Sequence, residues 1–253
     1  MANLLGPKAA GSLLVGHVDG HGGDLVDHGR APSRCGNLAP EGTILPDLAL
    51  THRTAAARRG EAPHPCLLLL HGRGADEQDL LGLAGLLDPR LFCVSVRAPL
   101  RAPGMPGYQW HTSLATGSPE PVSMLQSLEK LRRVVAALPG AYPVDPGRLF
   151  VLGFSQGAAM TLALSSAEPQ AVSGALVLSG FWPPAAKAEG LNGKAVFVAH
   201  GSMDPVLPLT FGRAIRDALT AGGADLTYRE YPMAHQISDT ELGDLTAWLA
   251  ERL

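Results

Sequence analysis

The sequence of 253 residues has little cysteine, and its few cysteines stand apart. Cys35, Cys66 and Cys93 are odd in number and show no close spacing, which argues against a disulfide framework or a zinc knuckle. No apolar stretch approaches the roughly 18 residues of a membrane span, and the run SLLVG near the start is too brief for a secretory signal. We therefore expect a cytoplasmic protein without stable membrane insertion.

The sequence also lacks an excess of charge of either sign. Its net charge of −3 comes without a basic block or an acidic tail, so nothing in it indicates binding to nucleic acid. With 46% apolar residues, the chain is long enough for one large α/β domain with a sizeable core. The sequence leaves open whether that domain is a monomer or a homodimer.

Residues 1–42 differ in composition from the rest of the chain. They are rich in Gly, His and Asp and show neither helical nor strand periodicity. His17, His21 and His28 could bind a metal together with nearby aspartates, but free coil rarely preorganises metal ligands. We interpret the segment as a flexible polar leader, expect no metal site, and assign residues 43–253 to a single catalytic domain.

From residue 43 onward, apolar strand-like segments alternate with helical ones. Strands are predicted at 44–52, 66–70, 92–96, 148–153, 174–179, 194–200 and 225–231. Helices are predicted at 76–87, 121–138, 158–167, 210–221 and 239–253, with Asp76 and Asp239 as N-caps and Pro121 as a first residue.

The helix at 121–138 has the clearest amphipathic pattern. Its apolar stripe is expected to consist of Val122, Leu125, Leu128, Leu131, Val135 and Leu138. The alternation of strands and helices implies right-handed βαβ crossovers. The predicted fold class is therefore α/β, with a mostly parallel central sheet covered by helices on both faces.

The stretch VLGFSQGAAM places Ser155 between Gly153 and Gly157. With 30 Gly and 14 Ser in the chain, a Gly-x-Ser-x-Gly match has a chance expectation of roughly one in five, so the pattern alone is weak. Its position between a predicted strand and a predicted helix is what a nucleophile elbow requires. Neighbours without a β-carbon make such a sharp turn sterically possible.

A serine hydroxyl is a poor nucleophile at neutral pH and needs a base, which in turn needs an orienting acid. In an α/β-hydrolase the three follow in the chain order Ser, acid, His. Asp204 follows the next-to-last predicted strand, and His235 follows the last one. Since open α/β sheets build their sites at the carboxyl ends of strands, we assign the three catalytic roles to Ser155, Asp204 and His235.

Other residues compete for two of these roles. His71 and His200 also stand at strand ends, but each precedes a glycine, and we interpret both as structural. Asp225 begins a strand and so lies at the wrong edge of the sheet, whereas Asp239 is better placed to cap a helix.

The oxyanion that forms during acyl transfer needs hydrogen-bond donors. In this fold they are backbone N–H groups, one from the residue after the nucleophile and one from the loop after an early strand. These positions correspond to Gln156 and, in the segment HGRG, to Arg73.

Four segments together resemble the phospholipase/carboxylesterase family of α/β-hydrolases, which includes acyl-protein thioesterases. They are LLLLHGRGADEQDL, GFSQGAAM, AHGSMDPVLP and PMAHQIS, and the resemblance extends from about residue 43 to residue 253. It implies Ser155 as nucleophile, Asp204 as acid and His235 as base, with Arg73 and Gln156 as oxyanion donors. Much of the family has an apolar residue in place of Arg73, and HGRGAD looks more like the bacterial carboxylesterases than the eukaryotic thioesterases.

The expected reaction is hydrolysis of a small-molecule acyl ester through an acyl-serine, without cofactor or metal. The segment 181–193 is too short for an elaborate lid, which predicts short- to medium-chain esters rather than triglycerides. Candidate substrate-binding side chains in the loops are Met105, Tyr108, Trp110, Phe181, Trp182 and Met233.

Two other functions stay open at this point. The same triad serves acyl thioesterases and lysophospholipases. A non-catalytic binding protein on a hydrolase scaffold is also conceivable, because fold alone does not determine function, but such a protein normally lacks a triad member. A dienelactone-type hydrolase would have Cys in place of Ser155.

Overall fold

A computed structural model describes residues 48–253. The predicted leader at 1–42, including His17, His21 and His28, lies outside the described residues, as does the first part of the strand predicted at 44–52. Those predictions stay untested.

Within residues 48–253 the chain forms eleven strands and four α-helices. The strands are β1 (His52–Ala55), β2 (His64–Leu70), β3 (Phe92–Val96), β4 (Leu100–Arg101), β5 (Tyr108–Gln109), β6 (Ser113–Ala115), β7 (Ser118–Pro119), β8 (Val144–Phe154), β9 (Gly174–Leu178), β10 (Ala195–Gly201) and β11 (Asp225–Tyr231). The helices are α1 (Pro121–Ala141), α2 (Gln156–Ala167), α3 (Leu209–Ala221) and α4 (Asp239–Ala250). Two short 3₁₀ turns span Leu80–Gly85 and Ala188–Leu191.

The central sheet has seven strands in the order β1-β3-β2-β8-β9-β10-β11. Only β1 runs antiparallel to its neighbour, β3, and all other pairs are parallel. The strand pairs β4–β5 and β6–β7 form separate small hairpins before α1. The predicted α/β class with a mostly parallel sheet is confirmed.

Strand β2 shows why this sheet must be covered on both faces. Cys66, Leu68 and Leu70 pack into the cluster that includes the buried side chains of α1. Leu67 and Leu69 point to the opposite face, into the cluster that includes α4. The continuous apolar run of this strand therefore contributes side chains to the hydrophobic clusters on both faces of the sheet.

The first described strand, His52–Ala55, lies later in the chain than the strand predicted at 44–52, and the two share only His52. Leu48 and Leu50 are buried in the core, which explains their apolar alternation, but the strand begins only at His52. His52 is paired with Val96, the last residue of β3, and beyond this pair the Thr51 carbonyl accepts one further hydrogen bond, from the Arg97 N–H at 2.7 Å.

The predicted helix at 76–87 is wrong. The segment forms only the 3₁₀ turn Leu80–Gly85, and the Asp76 carboxylate instead accepts a hydrogen bond from the Gln78 backbone at 2.9 Å. Two glycines within twelve residues disfavour an α-helix, and one tight turn is enough to bury Leu80 and Leu83.

Helix α1 begins at Pro121 as predicted, but its predicted apolar stripe is partly wrong. Val122 is 61% exposed and Leu125 is 55% exposed. The helix is rotated so that the buried face begins at Met124 and continues through Leu128, Leu131, Val135 and Leu138. The steps of four and three residues along this face match the helical repeat.

The N-cap of α4 is Ser238, not the predicted Asp239. The Ser238 hydroxyl accepts a hydrogen bond from the Glu241 backbone at 3.2 Å, and the Glu241 carboxylate accepts one from the Ser238 backbone at 3.3 Å. This capping box holds Glu241 fully buried, with Oε1 unpaired among the described residues. Burial raises the pKa of the Glu241 carboxyl from 4.5 to about 8.

The turn between β8 and α2 carries Ser155 in the left-handed region of backbone space, with φ 56° and ψ −116°. A β-carbon on Gly153 would lie 2.2 Å from the Gly157 carbonyl oxygen, and one on Gly157 would lie 1.9 Å from the Leu70 carbonyl oxygen. Both contacts are with backbone, which cannot move aside as a flexible side chain could. The two glycines are therefore required by the close packing of α2 against β2 and β8.

We predict that Gly157→Ala destabilises the protein by more than about 2 kcal/mol, because the new methyl group overlaps the backbone of β2. Gly243→Ala is the matched control, since it also lies in a helix but has no atom within 4 Å of the added carbon. That control should stabilise by roughly 0.5–1 kcal/mol. Urea unfolding measures both, and equal stabilities for the two variants would contradict the packing argument.

We predict a pH-dependent effect of Glu241→Gln on stability. Because the pKa of Glu241 is about 8 when folded and 4.5 ordinarily, the folded state retains a proton that the unfolded state releases between these values. Wild-type stability should therefore lose roughly 1.4 kcal/mol per pH unit from this group across that window. The amide cannot ionise, so the free energy of unfolding of the variant should rise relative to that of wild type as pH rises from 5 to 8. Urea unfolding of both proteins at pH 5 and pH 8 tests this prediction. The same difference in unfolding free energy between variant and wild type at both pH values would refute it.

Candidate active site

The structure brings Ser155, His235 and Asp204 together at the carboxyl edge of the sheet. The Ser155 Oγ lies 3.0 Å from the His235 Nε2, and the His235 Nδ1 lies 2.7 Å from the Asp204 Oδ2. Ser155 follows β8, Asp204 follows β10, and His235 follows β11. Three loops that are distant in sequence thus meet in one hydrogen-bonded chain.

The hydrogen bonds define the state of the His235 ring. Since a carboxylate can only accept, Nδ1 carries the proton that is donated to Asp204, and the lone pair of Nε2 faces the Ser155 hydroxyl. The Asp204 side chain is fully buried, and its other oxygen accepts hydrogen bonds from the backbones of Val206 and Leu207 at 2.8 and 2.9 Å. Such an arrangement can remove the serine proton as the oxygen attacks a carbonyl.

Backbone contacts hold the Asp204 and His235 loops against each other. The Met203 N–H donates to the Met233 carbonyl at 3.1 Å, and the Ser202 N–H donates to the Tyr231 carbonyl at 2.7 Å. The ring of His235 also packs on Phe154, with centroids 4.8 Å apart. These contacts fix the imidazole beside the serine.

The HGRG loop (His71–Gly74) lies beside the serine. A β-carbon on Gly72 would be only 3.5 Å from the Ser155 Cβ, and Gly74 adopts φ +88° while its N–H donates to the Tyr108 carbonyl at 2.7 Å. Neither the Arg73 nor the Gln156 backbone N–H has a hydrogen-bond acceptor in the described part of the chain. Among the described residues, the residue after the serine and the loop that contacts the serine thus each carry a backbone N–H group without an acceptor.

The side chain of Gln156 has a structural role that the sequence did not indicate. Its Oε1 accepts a hydrogen bond from the Trp110 N–H at 3.0 Å, while its Nε2 donates to the His111 carbonyl and the Ser113 hydroxyl, both at 3.2 Å. The residue after the serine therefore ties the elbow to the segment that precedes α1.

His71 and His200 occupy the structural positions that we expected of them. His71 donates from Nδ1 to the Gly72 carbonyl at 2.7 Å and accepts at Nε2 from the Ala98 N–H at 3.0 Å. Burial lowers the pKa of His71, in keeping with a neutral ring. His200, also fully buried, donates from Nε2 to the Leu207 carbonyl at 2.7 Å and so supports the loop that carries Asp204.

A partly buried ion pair follows the HGRG loop and was missed from the sequence. The Arg97 guanidinium donates to both oxygens of Glu77, at 2.5 and 2.6 Å, and to the Tyr108 hydroxyl at 3.1 Å. Burial raises the pKa of Glu77, but the hydrogen bonds and charge of Arg97 outweigh it and leave that pKa below its ordinary value. No local sequence pattern signals this pair, because its members are twenty residues apart and belong to different loops.

The predicted substrate-binding residues differ in their surroundings. Trp110 is fully buried and donates from its indole N–H to the His71 carbonyl at 2.8 Å, so it supports the HGRG loop from within the core. Phe181 and Met233 are 3% and 5% exposed, respectively.

The other three predicted substrate-binding residues are only partly buried. The guanidinium carbons of Arg97 and Arg101 lie 4.6 and 4.5 Å from the centroid of the Tyr108 ring. The Met105 side chain packs on Gly74, and Trp182 packs against the cluster between α2 and α3. Contact of these side chains with substrate stays a prediction.

Within residues 48–253, no helix combines the length and apolar character needed to cross a membrane. The same residues contain no group of three potential metal-ligating side chains. The cytoplasmic location and the choice between monomer and homodimer stay predictions.

Comparison with known proteins identifies relatives of similar length. The chain is 29% identical to acyl-protein thioesterase 1 of Mycosarcoma maydis over 223 residues, covering 76% of this chain and 92% of the relative. Two solved structures, both 25% identical, are carboxylesterases. The one from Bacillus cereus has a TM-score of 0.73 over 81% of this chain and 95% of its own. The one from Mesorhizobium loti has a TM-score of 0.75 over 83% and 99%.

The model of one protein family, described as Phospholipase/Carboxylesterase, matches residues 52–253. This range begins at β1 and includes the whole sheet, all four helices and the three hydrogen-bonded side chains. The chain belongs to the phospholipase/carboxylesterase family of α/β-hydrolases.

Proposed function

We propose that this protein is a serine carboxylesterase that hydrolyses short- to medium-chain acyl esters through an acyl-serine intermediate. Membership of its family makes the chain a carboxylic ester hydrolase. The proposal adds which residues carry out the reaction and which acyl esters are hydrolysed. The observation that carries it is the hydrogen-bonded chain from Ser155 through His235 to Asp204, at 3.0 and 2.7 Å.

In the first half of the proposed reaction, the Ser155 oxygen attacks the ester carbonyl while its proton moves to the His235 Nε2. The carbonyl oxygen becomes an oxyanion that accepts hydrogen bonds from the backbone N–H groups of Arg73 and Gln156. Asp204 stabilises the imidazolium by accepting from Nδ1. His235 then gives its Nε2 proton to the leaving alcohol oxygen, the carbon–oxygen bond to the alcohol breaks, and the acyl group stays on Ser155.

In the second half, a water molecule takes the place of the alcohol. His235 removes a proton from it, and the resulting hydroxide attacks the acyl carbon. The second oxyanion uses the same two donors, the bond to Ser155 breaks, and His235 returns the proton to the serine oxygen. The acid product leaves, and the enzyme is restored.

The size limit is supported by the segment after β9. Between Phe181 and Lys194 the described chain forms only the short 3₁₀ turn Ala188–Leu191, which offers little material for a lid. Phe181 and Leu207 are buried together with Ala159 of α2, beside the elbow. A short or medium acyl group suits such a closely packed site better than a long one.

A second candidate function is thioester hydrolysis, favoured by the name of the Mycosarcoma maydis relative, acyl-protein thioesterase 1. The proposed triad would serve a thioester or a lysophospholipid by the same steps. A non-catalytic role is disfavoured because all three groups are present and hydrogen-bonded.

We predict that Ser155→Ala and Asp204→Asn each lower kcat for p-nitrophenyl butyrate by roughly 10³-fold or more, because one loses the nucleophile and the other the orienting carboxylate. Ser166→Ala is the control, since its hydroxyl bonds only within the end of α2 and to Lys187. Turnover in Ser155→Ala equal to the control would exclude Ser155 as nucleophile.

The acyl preference is tested separately, with p-nitrophenyl esters from acetate to palmitate and thioesters of equal chain length. We expect kcat/KM to peak among the short and medium esters and to fall toward palmitate. A steady rise toward palmitate would refute the size limit. Much faster turnover of the matched thioesters would move the assignment to a thioesterase.

A further inference from the structure

A groove lies at the edge of the sheet opposite the proposed triad. Its lining includes Cys66, near the amino end of β2, and Leu149, which is paired with Cys66 in β8. Ser155 follows the carboxyl end of β8, six residues after Leu149. At about 3.3 Å per residue of strand, the groove is roughly 20 Å from the serine. It is therefore separate from the site proposed for catalysis.

The groove exists because one strand departs from a regular ladder. His64 and Cys66 of β2 pair with Val144 and Leu149 of β8, so the β8 residues 145–148 bulge out of the sheet. This bulge forms one wall, the second half of α1 forms another, and the loop after α2 forms the third. Bulges of this kind often lie next to binding sites, where they shape the local surface.

The size and the floor of the groove suit a small molecule. In the described part of the chain its volume is about 700 Å³, within the range of roughly 300–1,000 Å³ found for small-molecule sites. Nine of its fifteen described lining residues are apolar. The groove floor consists of residues that also belong to the cluster under α1, namely Cys66, Val135, Leu138, Val144 and Leu149. Burial raises the pKa of the Cys66 thiol, so the floor contributes no thiolate.

The charged side chains of the two helical walls neutralise one another. Arg132 donates to the Glu168 carboxylate and so connects α1 to the end of α2 across the groove. Arg132 also lies 3.4 Å from the Glu129 carboxylate, and Arg133 lies 3.3 Å from the same group. These two cations and two anions therefore leave little net charge on the walls.

The bulge adds one more charged lining residue, Asp145, which is paired with Arg148 at 2.7 Å. Every charged side chain that lines the described groove thus has a counter-ion within the protein. A charged ligand would lose hydration without gaining an unpaired partner, which costs free energy. An uncharged ligand avoids that cost and gains by removing the apolar floor from water.

We propose that this groove binds an uncharged, largely apolar molecule, such as a two- or three-ring aromatic compound, at a site separate from the proposed triad. Anions and cations of the same shape bind more weakly, because the wall charges are already paired. The groove shares no residue with the proposed triad or with the proposed oxyanion donors, so the inference goes beyond the proposed function and does not depend on it.

Two fluorescent probes test the preference for an uncharged ligand. N-Phenyl-1-naphthylamine and 8-anilinonaphthalene-1-sulfonate share one ring system and differ by a sulfonate group. Each is titrated into the full chain and excited directly. We expect saturable binding of one N-phenyl-1-naphthylamine per chain, with a Kd on the order of 10 µM. The sulfonate should bind at least about tenfold more weakly.

A filled groove tests where the neutral probe binds. Ala136 is exposed on α1 and lines the groove, so Ala136→Trp places an indole in the site without disturbing the core. Gln126→Trp is the matched control, since Gln126 is also exposed on α1 but does not line the groove. Ala136→Trp should weaken binding of the neutral probe at least about tenfold, and the control should leave it unchanged. Urea unfolding of both variants shows whether each is folded.

Removing one member of the ion pair across the groove tests the charge argument. Glu168→Gln leaves the Arg132 cation without its partner in α2, so the sulfonate should gain affinity several-fold relative to the neutral probe. Arg132→Gln removes the cation instead and should shift the ratio of the two affinities in the opposite direction. An unchanged ratio in both variants would contradict the role assigned to the paired charges.

Three outcomes would overturn the proposal as a whole. The first is the absence of saturable binding of the neutral probe to wild type, and the second is sulfonate binding as tight as that of the neutral probe. The third is binding that survives in Ala136→Trp. Competitive inhibition of p-nitrophenyl butyrate hydrolysis in that variant would then show that the probe occupies the proposed active site instead.

Discussion

The site depends on one backbone constraint, the left-handed conformation of Ser155 at the junction of β8 and α2. The turn is possible because Gly153 and Gly157 let the first turn of α2 approach the neighbouring backbone, where a β-carbon would overlap carbonyl oxygens. That approach presents the Ser155 hydroxyl at the sheet edge and leaves the Gln156 N–H free at the start of a helix. The proposed nucleophile, the proposed oxyanion donor and the helix dipole thus share a single geometric cause.

Polar side chains that take no part in the proposed reaction hold the loops around this turn. His71 fixes the HGRG loop through its two ring nitrogens, and His200 supports the loop that carries Asp204. The Gln156 side chain connects the elbow to the chain before α1. Because each of these groups is buried and hydrogen-bonded, the geometry exists before a substrate binds, which is the condition for effective electrostatic stabilisation of a transition state.

The sequence predicted the features that depend on residue type and element order. Ser155, Asp204 and His235 each follow a strand of the same parallel sheet, so chain order alone placed them at one edge of the sheet. Prediction from the sequence failed where three-dimensional packing determines which residues are buried. The rotation of α1, which exposes Leu125, follows from contacts across the sheet, and the burial of His111 follows from the path of a loop. Neither has a periodic signal in the local sequence.

The central claim is that Ser155 carries the acyl group, and trapping that intermediate tests it most directly. The protein is mixed rapidly with p-nitrophenyl butyrate, quenched in acid during the pre-steady-state burst, digested and analysed by mass spectrometry. The account predicts one butyryl group per chain on the peptide containing Ser155, together with a burst of p-nitrophenol of equal amount. A butyryl group on another residue, with Ser155 unmodified while hydrolysis proceeds, would contradict it.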